Sequence, residues 1–529
     1  MKKNYSLILL WISLSAASQS AVFTKKILPP DALDTGVFGV SIAQSNTIIC
    51  VGDTSDNDGS VALTGAVYIL EKQNNDFSSV QKLKAPFLES GDAYGFDISI
   101  HGDFIAVGAG RYEFNNSATG LPRISDAGAV FLYKRNASTS QWDLVNTLFA
   151  PTRFQNNQFG WKVILTDTEL IVTEGQYRYS TPFATRAGRV YVYNYDNAGN
   201  ITLHQTIDNP EPTTDDFFGE DLAFSGNTLA IGARGEKLDS QGANSLNSAG
   251  AVYLFNKNNS GMYVQQQKVV ADPRVGGANF GAGIAIDGDV LAVGAINETR
   301  MPEGTTNIFD CGIAYIFKNI SGNWTQTAVI EPSEIEQNAS FGRSIALAGD
   351  NVFIGYEGGR VPFNGSSRAN GSVNRYQLNP NGSVSNFTLI APPYPDTTGN
   401  FGYNISLDDS HLVVGAFSDR GDVDGALLSD GTLSPGAIYI YDVTSTLSIE
   451  TSVFEGLKLY PNPAREAFRL SGFSADGVLT LYTSTGKKIK QMPYSSGDMV
   501  DISRLSVGLY HVNFQSQNSI YSTKLIKLR

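Results

Sequence analysis

The stretch FGEDLAFSGNTLAIGA (residues 218–233) contains the pattern on which most of the chain is built. It opens with an aromatic residue and a glycine, and two short apolar runs follow, separated by Gly226-Asn227. Apolar and β-branched runs of this length predict β-strands, and a Gly-Asn pair suits the positive-φ positions of a two-residue hairpin. The stretch therefore predicts two adjacent antiparallel strands.

The same pattern occurs seven times along the chain. Each copy continues with a polar loop, a third apolar run such as GAVYLF (residues 250–255) and a short fourth run. The opening pairs stand 56 to 65 residues apart, at Phe38-Gly39, Tyr94-Gly95, Phe159-Gly160, Phe218-Gly219, Phe280-Gly281, Phe341-Gly342 and Phe401-Gly402. Four strands in each of seven units predict a seven-bladed β-propeller.

The two ends of the repeated region complement each other. The seventh unit ends in GAIYIYDV at Val443 and lacks a fourth apolar run, whereas AVFTKKILPP (residues 21–30) precedes the first unit and resembles such a run. Pairing of this N-terminal strand with the last blade would remove an open sheet edge. The propeller is therefore predicted over residues 21–443, closed by the N-terminal strand.

The FG…GA pattern resembles the FG-GAP repeat family, whose best-known members form the seven-bladed head of integrin α subunits. The resemblance covers about residues 22–443. In that family several blades carry a D-x-D-x-D-G calcium loop between their first two strands. Here that connection is a tight turn, as in SGNT (residues 225–228), so the family's calcium sites are not expected.

The first twenty residues predict a signal peptide. Lys2 and Lys3 precede an apolar run from Leu7 to Leu14, and small and polar residues follow. This order is typical of a secretory signal, and the run is too short for a bilayer-spanning anchor. We therefore expect an exported protein without a transmembrane anchor.

A Ser/Thr-rich linker (residues 444–456) separates the repeats from a different C-terminal region, residues 457–529. Alternating apolar residues and turn signals there predict a small β-sandwich. The region resembles the C-terminal sorting domain of the type IX secretion system, and the matching residues include Tyr460, Pro461, Asn462, Pro463, Gly508, Tyr510, Lys524 and Lys527. The resemblance implies the type IX machinery and its sortase as partners, and a secreted or cell-surface location. The alternative is a terminal carbohydrate-binding sandwich.

Composition and charge agree with an exported all-β protein. The 529 residues include 53 Gly, and only 17% are charged. The net charge is −13, with a basic C-terminal region and a more strongly acidic remainder. An acidic body cannot neutralise phosphates, so nucleic acid is not an expected partner. Cys50 and Cys311 lie far apart without metal-ligand spacing, and we expect two free, buried thiols.

No catalytic constellation is visible in the sequence. The four histidines do not pair at metal-ligand spacing, and neither a G-x-S-x-G elbow nor a phosphate-binding loop occurs. We therefore expect a protein that is not an enzyme. Carboxylates brought together from different blades remain an alternative source of catalysis.

The connection between the second and third strands is long in each unit, and all seven are expected on one face. Long loops on a rigid scaffold commonly carry binding sites. The candidate ligand-binding residues on this face are Arg111, Tyr112, Tyr177, Arg178, Arg234, Glu236, Arg300, Arg360, Phe417 and Arg420. Two interpretations stay open: the guanidinium groups bind a carboxylate or an acidic sugar, or each pairs with a neighbouring acid and ties blades together.

Two Asp-rich loops resemble fragments of calcium sites: DTSDNDG (residues 53–59) and DVDG (residues 422–425). Both lack the distal glutamate of an EF-hand. Calcium at one of them is a further hypothesis, and no other cofactor or metal is expected.

The sequence thus favours an exported, adhesin-like propeller that binds a glycan or a protein through its long-loop face. The alternatives are a secreted polysaccharide-degrading enzyme with carboxylates over the channel, and a structural component of the envelope or matrix.

Overall fold

The computed structural model describes residues 21–443, with gaps at 32–35, 58–60, 75, 88, 114–122, 300–308, 333, 364–365, 396 and 429–433, and residues 458–528, with gaps at 472–476, 484–487 and 517–518. The predicted signal peptide, the predicted linker and Arg300 lie outside the described residues. Contacts divide the chain into two compact units, here called the body (described from 21 to 443) and the tail unit (458–528).

The body consists of four-stranded antiparallel sheets. Strand β1 (Val22–Ile27) precedes sheet 1, which contains β2 (Ser41–Ser45), β3 (Ile48–Asp53), β4 (Ala66–Gln73) and β5 (Asp76–Leu83). Sheet 2 contains β6 (Asp97–His101), β7 (Phe104–Ala109), β8 (Ala129–Arg135) and β9 (Trp142–Leu148). Sheet 3 contains β10 (Phe159–Leu165), β11 (Glu169–Glu174), β14 (Arg189–Tyr195) and β15 (Ile201–Asp208), with the hairpin β12 (Tyr179–Ser180) and β13 (Phe183–Ala184) between its second and third strands.

The later sheets repeat this order. Sheet 4 contains β16 (Phe218–Ser225), β17 (Thr228–Ala233), β18 (Ala251–Lys257) and β19 (Tyr263–Val269), and sheet 5 contains β20 (Phe280–Asp287), β21 (Val290–Ala295), β22 (Ile313–Ile320) and β23 (Asn323–Ile330). Sheet 6 contains β24 (Ile345–Ala348), β25 (Asn351–Tyr356), β28 (Ser372–Leu378) and β29 (Val384–Ile390), with the hairpin β26 (Arg360–Phe363) and β27 (Ser366–Ala369). Sheet 7 contains β30 (Ile405–Leu407), β31 (His411–Ala416) and β32 (Ala437–Asp442), and β1 pairs antiparallel with β32 as its fourth strand.

The predicted hairpin between the first two strands of each unit is confirmed where Gly-Asp or Gly-Asn marks it. In sheet 4, for example, β16 ends at Ser225 and β17 begins at Thr228, and Gly226 has φ +60°. Positive φ costs glycine little because it has no Cβ. The tight turns therefore lie at one end of the sheets and the long second-to-third-strand loops at the other.

Two glycines explain how neighbouring sheets approach each other: the glycine of the FG pair, and a second glycine near the end of the second strand, whose place Thr173 takes in sheet 3. The glycine of every aromatic-glycine pair has φ between +86° and +94°. A Cβ on Gly232, near the end of β17, would clash with the backbone carbonyl of Gly281, which opens sheet 5. The same relation joins Gly415 of sheet 7 to Gly39 of sheet 1. The FG and GA motifs thus let the backbones of adjacent sheets touch.

The contacts between sheets form a closed cycle. The first strand of each sheet contacts the first strand of the next, and β30 of sheet 7 contacts β2 of sheet 1. Phe38 forms an isolated parallel bridge with Gly436, and its amide donates to the Pro435 carbonyl at 3.2 Å. Sheets arranged radially in a closed cycle are the architecture of a β-propeller.

The aromatic residue of each FG pair is part of the core. All seven have no exposed surface. Phe218, for example, packs edge-to-face on Tyr253 of β18, with ring centroids 5.4 Å apart. Edge-to-face aromatic pairs add stability beyond the area that they bury. Cys50 and Cys311 are both buried, and neither is in a disulfide.

The tail unit contains two antiparallel sheets. The first comprises β33 (Lys458–Tyr460), β34 (Ala467–Ser471) and β37 (Val500–Asp501), and the second comprises β35 (Gly477–Thr483), β36 (Lys488–Tyr494), β38 (Gly508–Ser516) and β39 (Ser519–Lys527). Its own apolar core includes Phe468, Leu479 and Phe514. In the described parts of both units, no helix has the length and apolar character to cross a bilayer.

Candidate functional site

The first strands of all seven sheets border one cavity at the long-loop end of the body. It has a volume of about 330 Å³. Its lining comes mainly from the two positions after each FG pair: Val40, Phe96, Asp97, Trp161, Lys162, Glu220, Asp221, Ala282, Arg343, Ser344, Tyr403 and Asn404. We call this cavity the channel mouth. Every sheet contributes at least one side chain to it, so the closed cycle is what builds it.

The first residue after each FG pair has a neighbour fourteen positions later, at the end of the second strand of the same sheet. In sheet 4 this pair is Glu220 and Arg234, an ion pair at 3.1 Å. In sheet 6 the charges are reversed: the arginine, Arg343, comes first, and its Nε donates to Glu357 at 3.0 Å. In sheet 7 the pair is aromatic. The same structural position therefore carries different chemistries in sheets 4, 6 and 7.

The aromatic pair in sheet 7 is one of two aromatic groups at the channel mouth. The rings of Tyr403 and Phe417 stand edge to face with centroids 4.7 Å apart. The guanidinium of Arg343 lies 5.4 Å from the centre of the Tyr403 ring. Phe417 was predicted as a binding residue from its loop, and the structure brings it to this group.

The second aromatic group joins sheets 2 and 3. The half-buried rings of Phe96 and Trp161 have centroids 4.3 Å apart and an interplanar angle of 38°. Gly110 and Gly175 occupy the paired positions of these two sheets. A Cβ on Gly110 would lie 3.6 Å from the Trp161 Cα, and one on Gly175 would lie 3.6 Å from its Cδ1. The indole thus packs between the two glycine positions, where a methyl group would make ordinary van der Waals contact with it.

A charged triplet at the channel mouth spans sheets 2 to 4. Lys162 Nζ lies 3.4 Å from an Asp97 oxygen and 3.3 Å from an Asp221 oxygen. The other oxygen of each carboxylate accepts a backbone amide of the next sheet, from Val163 and from Ile284, both at 2.8 Å.

Burial and pairing act in opposite directions on this triplet. Burial raises the pKa of Asp97 above its usual range, although Lys162 opposes the rise. Burial by itself would lower the pKa of Lys162, but the two carboxylates outweigh it and raise that pKa. Lys162 is therefore a protonated donor at neutral pH.

Five of the arginines predicted from the long loops lie in the described part of the chain, and they have different surroundings. Arg111, Arg178, Arg360 and Arg420 are exposed, and Arg234 is half-buried. Arg360 forms an ion pair with Glu336 at 2.7 Å. Arg111 lies close enough to Asp126 to oppose the rise in pKa that burial causes in that carboxyl. Of the predicted arginines, the structure places Arg234 beside the channel mouth.

The remaining predicted aromatic and acidic residues are packed into the sheets. Glu236 has no exposed surface, and its carboxylate accepts the Tyr253 hydroxyl at 2.6 Å and the Leu238 amide at 2.8 Å. Tyr112 is buried against Phe131. Tyr177 packs under the guanidinium of Arg189, 3.7 Å from the ring centre. These contacts give the three residues a structural role.

The Glu236–Tyr253 contact belongs to a recurring arrangement. Acids at the start of the long loops accept a hydroxyl from a tyrosine on the third strand of the same sheet, as in Glu174–Tyr191 and Glu298–Tyr315, both at 2.7 Å. The sequence shows this signal as an acid seventeen residues before a tyrosine. Glu174, Glu236 and Glu298 thus bind tyrosines within their own sheets, whereas Glu357 pairs with Arg343.

In the Asp-rich loops, Asp53 and Asp422 already accept backbone hydrogen bonds. Asp53 Oδ1 accepts the amides of Val37 and Ser55 at 3.0 and 3.1 Å, and Asp422 Oδ1 accepts those of Asp424 and Ala426 at 3.0 and 2.9 Å. Residues 58–60 lie outside the described part of the chain. Within that part, no group of three or more His, Cys, Asp or Glu side chains could hold a metal ion.

The sorting-signal residues are distributed over the tail unit. Asn462 Oδ1 accepts the Ile526 amide at 2.9 Å, so the Tyr-Pro-Asn-Pro segment is held against the last strand. Tyr510 is buried and donates its hydroxyl to the Ser506 carbonyl at 2.7 Å. Lys527 is buried, Tyr460 is exposed, and the Lys524 side chain lies outside the described part of the unit.

Two protein-family models match the chain. The FG-GAP repeat matches residues 77–133, 205–255 and 263–317, and the secretion system C-terminal sorting domain matches residues 458–528. Both resemblances found in the sequence are confirmed. The chain therefore contains FG-GAP repeats and a type IX sorting domain, which directs it through the secretion machinery to the cell surface or the extracellular space.

Among solved structures, the chain is similar to Sqt1 of Saccharomyces cerevisiae at 12% identity, with a TM-score of 0.41 and coverage of 80% of this chain and 99% of that one. It is also similar to the periplasmic gluconolactonase PpgL of Pseudomonas aeruginosa, at 12% identity, a TM-score of 0.42, and coverage of 70% and 99%. Neither similarity bears on activity. No curated protein matches the chain.

Proposed function

We propose that this exported chain is an adhesin-like binding protein that is not an enzyme, and that it takes a glycan or protein ligand on its long-loop face. The channel mouth is the observation that carries this proposal. It is concave, it is bordered by all seven sheets, and it presents half-buried aromatic rings beside charged groups. Ligand sites are typically concave and combine aromatic or apolar surface with fixed polar groups.

The long loops add a second layer around this site. Arg111, Arg178, Arg360 and Arg420 are exposed on the loops that follow the second strands, on the same face as the mouth. Guanidinium groups on a rigid scaffold are suited to hydrogen-bonding ligand carboxylates, hydroxyls or carbonyls. We propose that the mouth gives affinity and that the loop arginines contribute specificity.

The charged triplet of the channel mouth favours binding over catalysis. Asp97 and Asp221 each bind Lys162 and a backbone amide. A pair of carboxylates that cleaves a glycosidic bond needs one member to donate a proton and the other to act as nucleophile or base. Here both carboxylates pair with the same lysine, so neither is set apart as the proton donor or as the nucleophile.

We also propose the organisation of the precursor: a signal peptide over residues 1–20, a seven-bladed propeller over 21–443, a linker over 444–456 and a sorting sandwich over 457–529. A surface sortase then removes the tail near the linker. Mass determination of the exported protein tests this, since a mature C-terminus between 444 and 456 is expected. An intact C-terminus at Arg529 on the exported protein would contradict it.

An array experiment tests the binding function. The chain from residue 21 onward is labelled and passed over immobilised glycans and matrix proteins, and hits are tested again with Arg111→Ala, Arg178→Ala and Arg420→Ala combined. We expect a discrete set of hits and weaker binding by the triple variant. An array without hits, together with no degradation of any polysaccharide, would contradict the proposal and favour the structural alternative.

A further inference from the structure

Resting on the proposed binding function, we infer that the channel mouth binds a neutral saccharide, with a sugar ring against the Phe96–Trp161 pair and its hydroxyls on the Asp97–Lys162–Asp221 triplet. Three properties of the mouth lead to this ligand class: the accessible aromatic surface, the balance of charge and the size of the cavity.

The aromatic surface is the first property. Trp142 and Trp324 are buried, whereas Trp161 is half-buried and borders the cavity. A half-buried aromatic ring presents apolar surface that a ligand can cover. The C–H face of a pyranose is a flat apolar surface of comparable size. Gly110 and Gly175 flank the Trp161 side chain: a Cβ built on either glycine would lie 3.6 Å from the nearest Trp161 atom, so the indole packs close to both.

The balance of charge is the second property. Each cation at the mouth is already paired: Lys162 with Asp97 and Asp221, Arg234 with Glu220, and Arg343 with Glu357. A polyanionic ligand would have to displace these carboxylates, and a cationic ligand would have to compete with the basic side chains. Sugar hydroxyls both donate and accept hydrogen bonds, so they can join ion pairs without breaking them.

The size of the cavity is the third property. Its volume of about 330 Å³ is at the lower end of the roughly 300–1,000 Å³ typical of small-molecule sites. A mouth of this size takes one or two sugar rings and leaves the rest of a longer glycan to the surrounding loops. A chain end or a short branch of a glycan therefore enters the mouth.

Tryptophan fluorescence gives a direct readout. In the chain from residue 21 onward the tryptophans are Trp142, Trp161 and Trp324, and Trp161 alone among them is half-buried. The protein is titrated with cellohexaose, mannohexaose and chitohexaose. At least one of these three saccharides is expected to shift the tryptophan emission and to reduce its quenching by acrylamide. Trigalacturonate and an arginine-rich peptide serve as the acidic and basic probes.

Substitutions connect the signal to the site. By calorimetry, Trp161→Ala and Phe96→Ala are expected to weaken binding of that saccharide about tenfold or more, as for a central interface residue. Trp161→Phe should keep most of the affinity while removing the fluorescence change. Phe387→Ala is the matched control, because Phe387 is an exposed phenylalanine on the outer strand β29.

The possible outcomes separate this inference from the proposed function. Saccharide binding that Trp161→Ala removes and Phe387→Ala preserves would support both. Array hits that depend on Arg111, Arg178 and Arg420 but are unaffected by Trp161→Ala and Phe96→Ala would overturn the inference and leave the proposed function standing. Selective binding of the acidic or basic probe would also overturn the inference. Absence of any ligand would remove both.

Discussion

Lys26 of β1 and Asp419 of the loop before β32 are 393 residues apart in the sequence and form an ion pair at 2.8 Å, with both side chains fully buried. The same ammonium donates to the Gly421 carbonyl at 2.9 Å. Asp419 also accepts the Tyr439 hydroxyl. The N-terminal strand is thus joined to the last sheet by side chains as well as by its backbone ladder.

Lys26 occupies a position that recurs in other sheets. It stands opposite Tyr439 in the β1–β32 ladder, as Lys268 stands opposite Tyr253 in sheet 4. Lys268 also contacts a loop acid, Glu236, at 3.5 Å. Strand β1 therefore has, at Lys26, the lysine that the fourth strand of sheet 4 has at Lys268. This match is expected if β1 serves as the fourth strand of sheet 7.

We predict that Lys26→Met destabilises the body by about 3–5 kcal/mol, because it leaves a buried carboxylate without its cation. Lys25→Ala is the matched control: Lys25 pairs with Asp76 at the surface, and such a pair is worth at most about 1 kcal/mol. Denaturant unfolding measures both. If the two variants unfolded at the same denaturant concentration, the buried ion pair would have no special part in closure.

A second prediction concerns the contact between neighbouring sheets. Gly232→Ala is expected to destabilise the body by about 1–3 kcal/mol, the usual cost of overpacking, because its methyl group would clash with the Gly281 carbonyl. Gly110→Ala, whose methyl group would stand at an ordinary 3.6 Å from Trp161, should be tolerated. Thermal unfolding distinguishes them, and equal melting temperatures would count against this explanation of the repeat.

A third prediction follows from Glu174. Burial raises the pKa of Glu174 from 4.5 to about 7, although hydrogen bonds from Tyr191 and Asn157 oppose the rise. Between these two values the folded state holds a proton that the unfolded state has released, so the free energy of unfolding falls as the pH rises.

Glu174→Gln removes this titration. Between pH 4.5 and 7 the wild-type protein is expected to lose about 3 kcal/mol relative to the variant, at about 1.4 kcal/mol per pKa unit. Denaturant unfolding at several pH values measures the difference. Parallel curves for the two proteins across this range would show that Glu174 titrates normally.

A fourth prediction concerns metal. Because the oxygens of Asp53 and Asp422 already accept backbone amides, we expect ligand binding and melting temperature to be unchanged by a calcium chelator. Calcium titration of chelator-treated protein completes the test. A rise in melting temperature on adding calcium, abolished by Asp422→Asn, would identify a metal site in that loop.

Much of the fold could be predicted from the sequence because its determinants recur. The FG and GA glycines stand where adjacent backbones meet, so they are repeated in nearly every sheet and are visible as a period. The acid–tyrosine contacts recur as well, which is why acids such as Glu236 attracted attention as binding candidates although the structure buries them.

The channel mouth could not be predicted in the same way. Its residues stand at a fixed position after each FG pair, but their identities differ: Phe96, Trp161 and Tyr403 are aromatic, Glu220 is acidic and Arg343 is basic. A search for recurring residues passes over them. Only the closed cycle of sheets brings these positions together, because their separation in the sequence is about sixty residues per sheet.

The most direct test of the account is hydrogen–deuterium exchange of the chain from residue 21 onward, with and without a saccharide identified on the array. The account predicts slower exchange at the long-loop end of the first strands, in residues 94–97, 159–162, 341–344 and 401–404, and no change at the opposite turns, such as Gly226-Asn227. Protection confined to those turns or to the tail unit would contradict it.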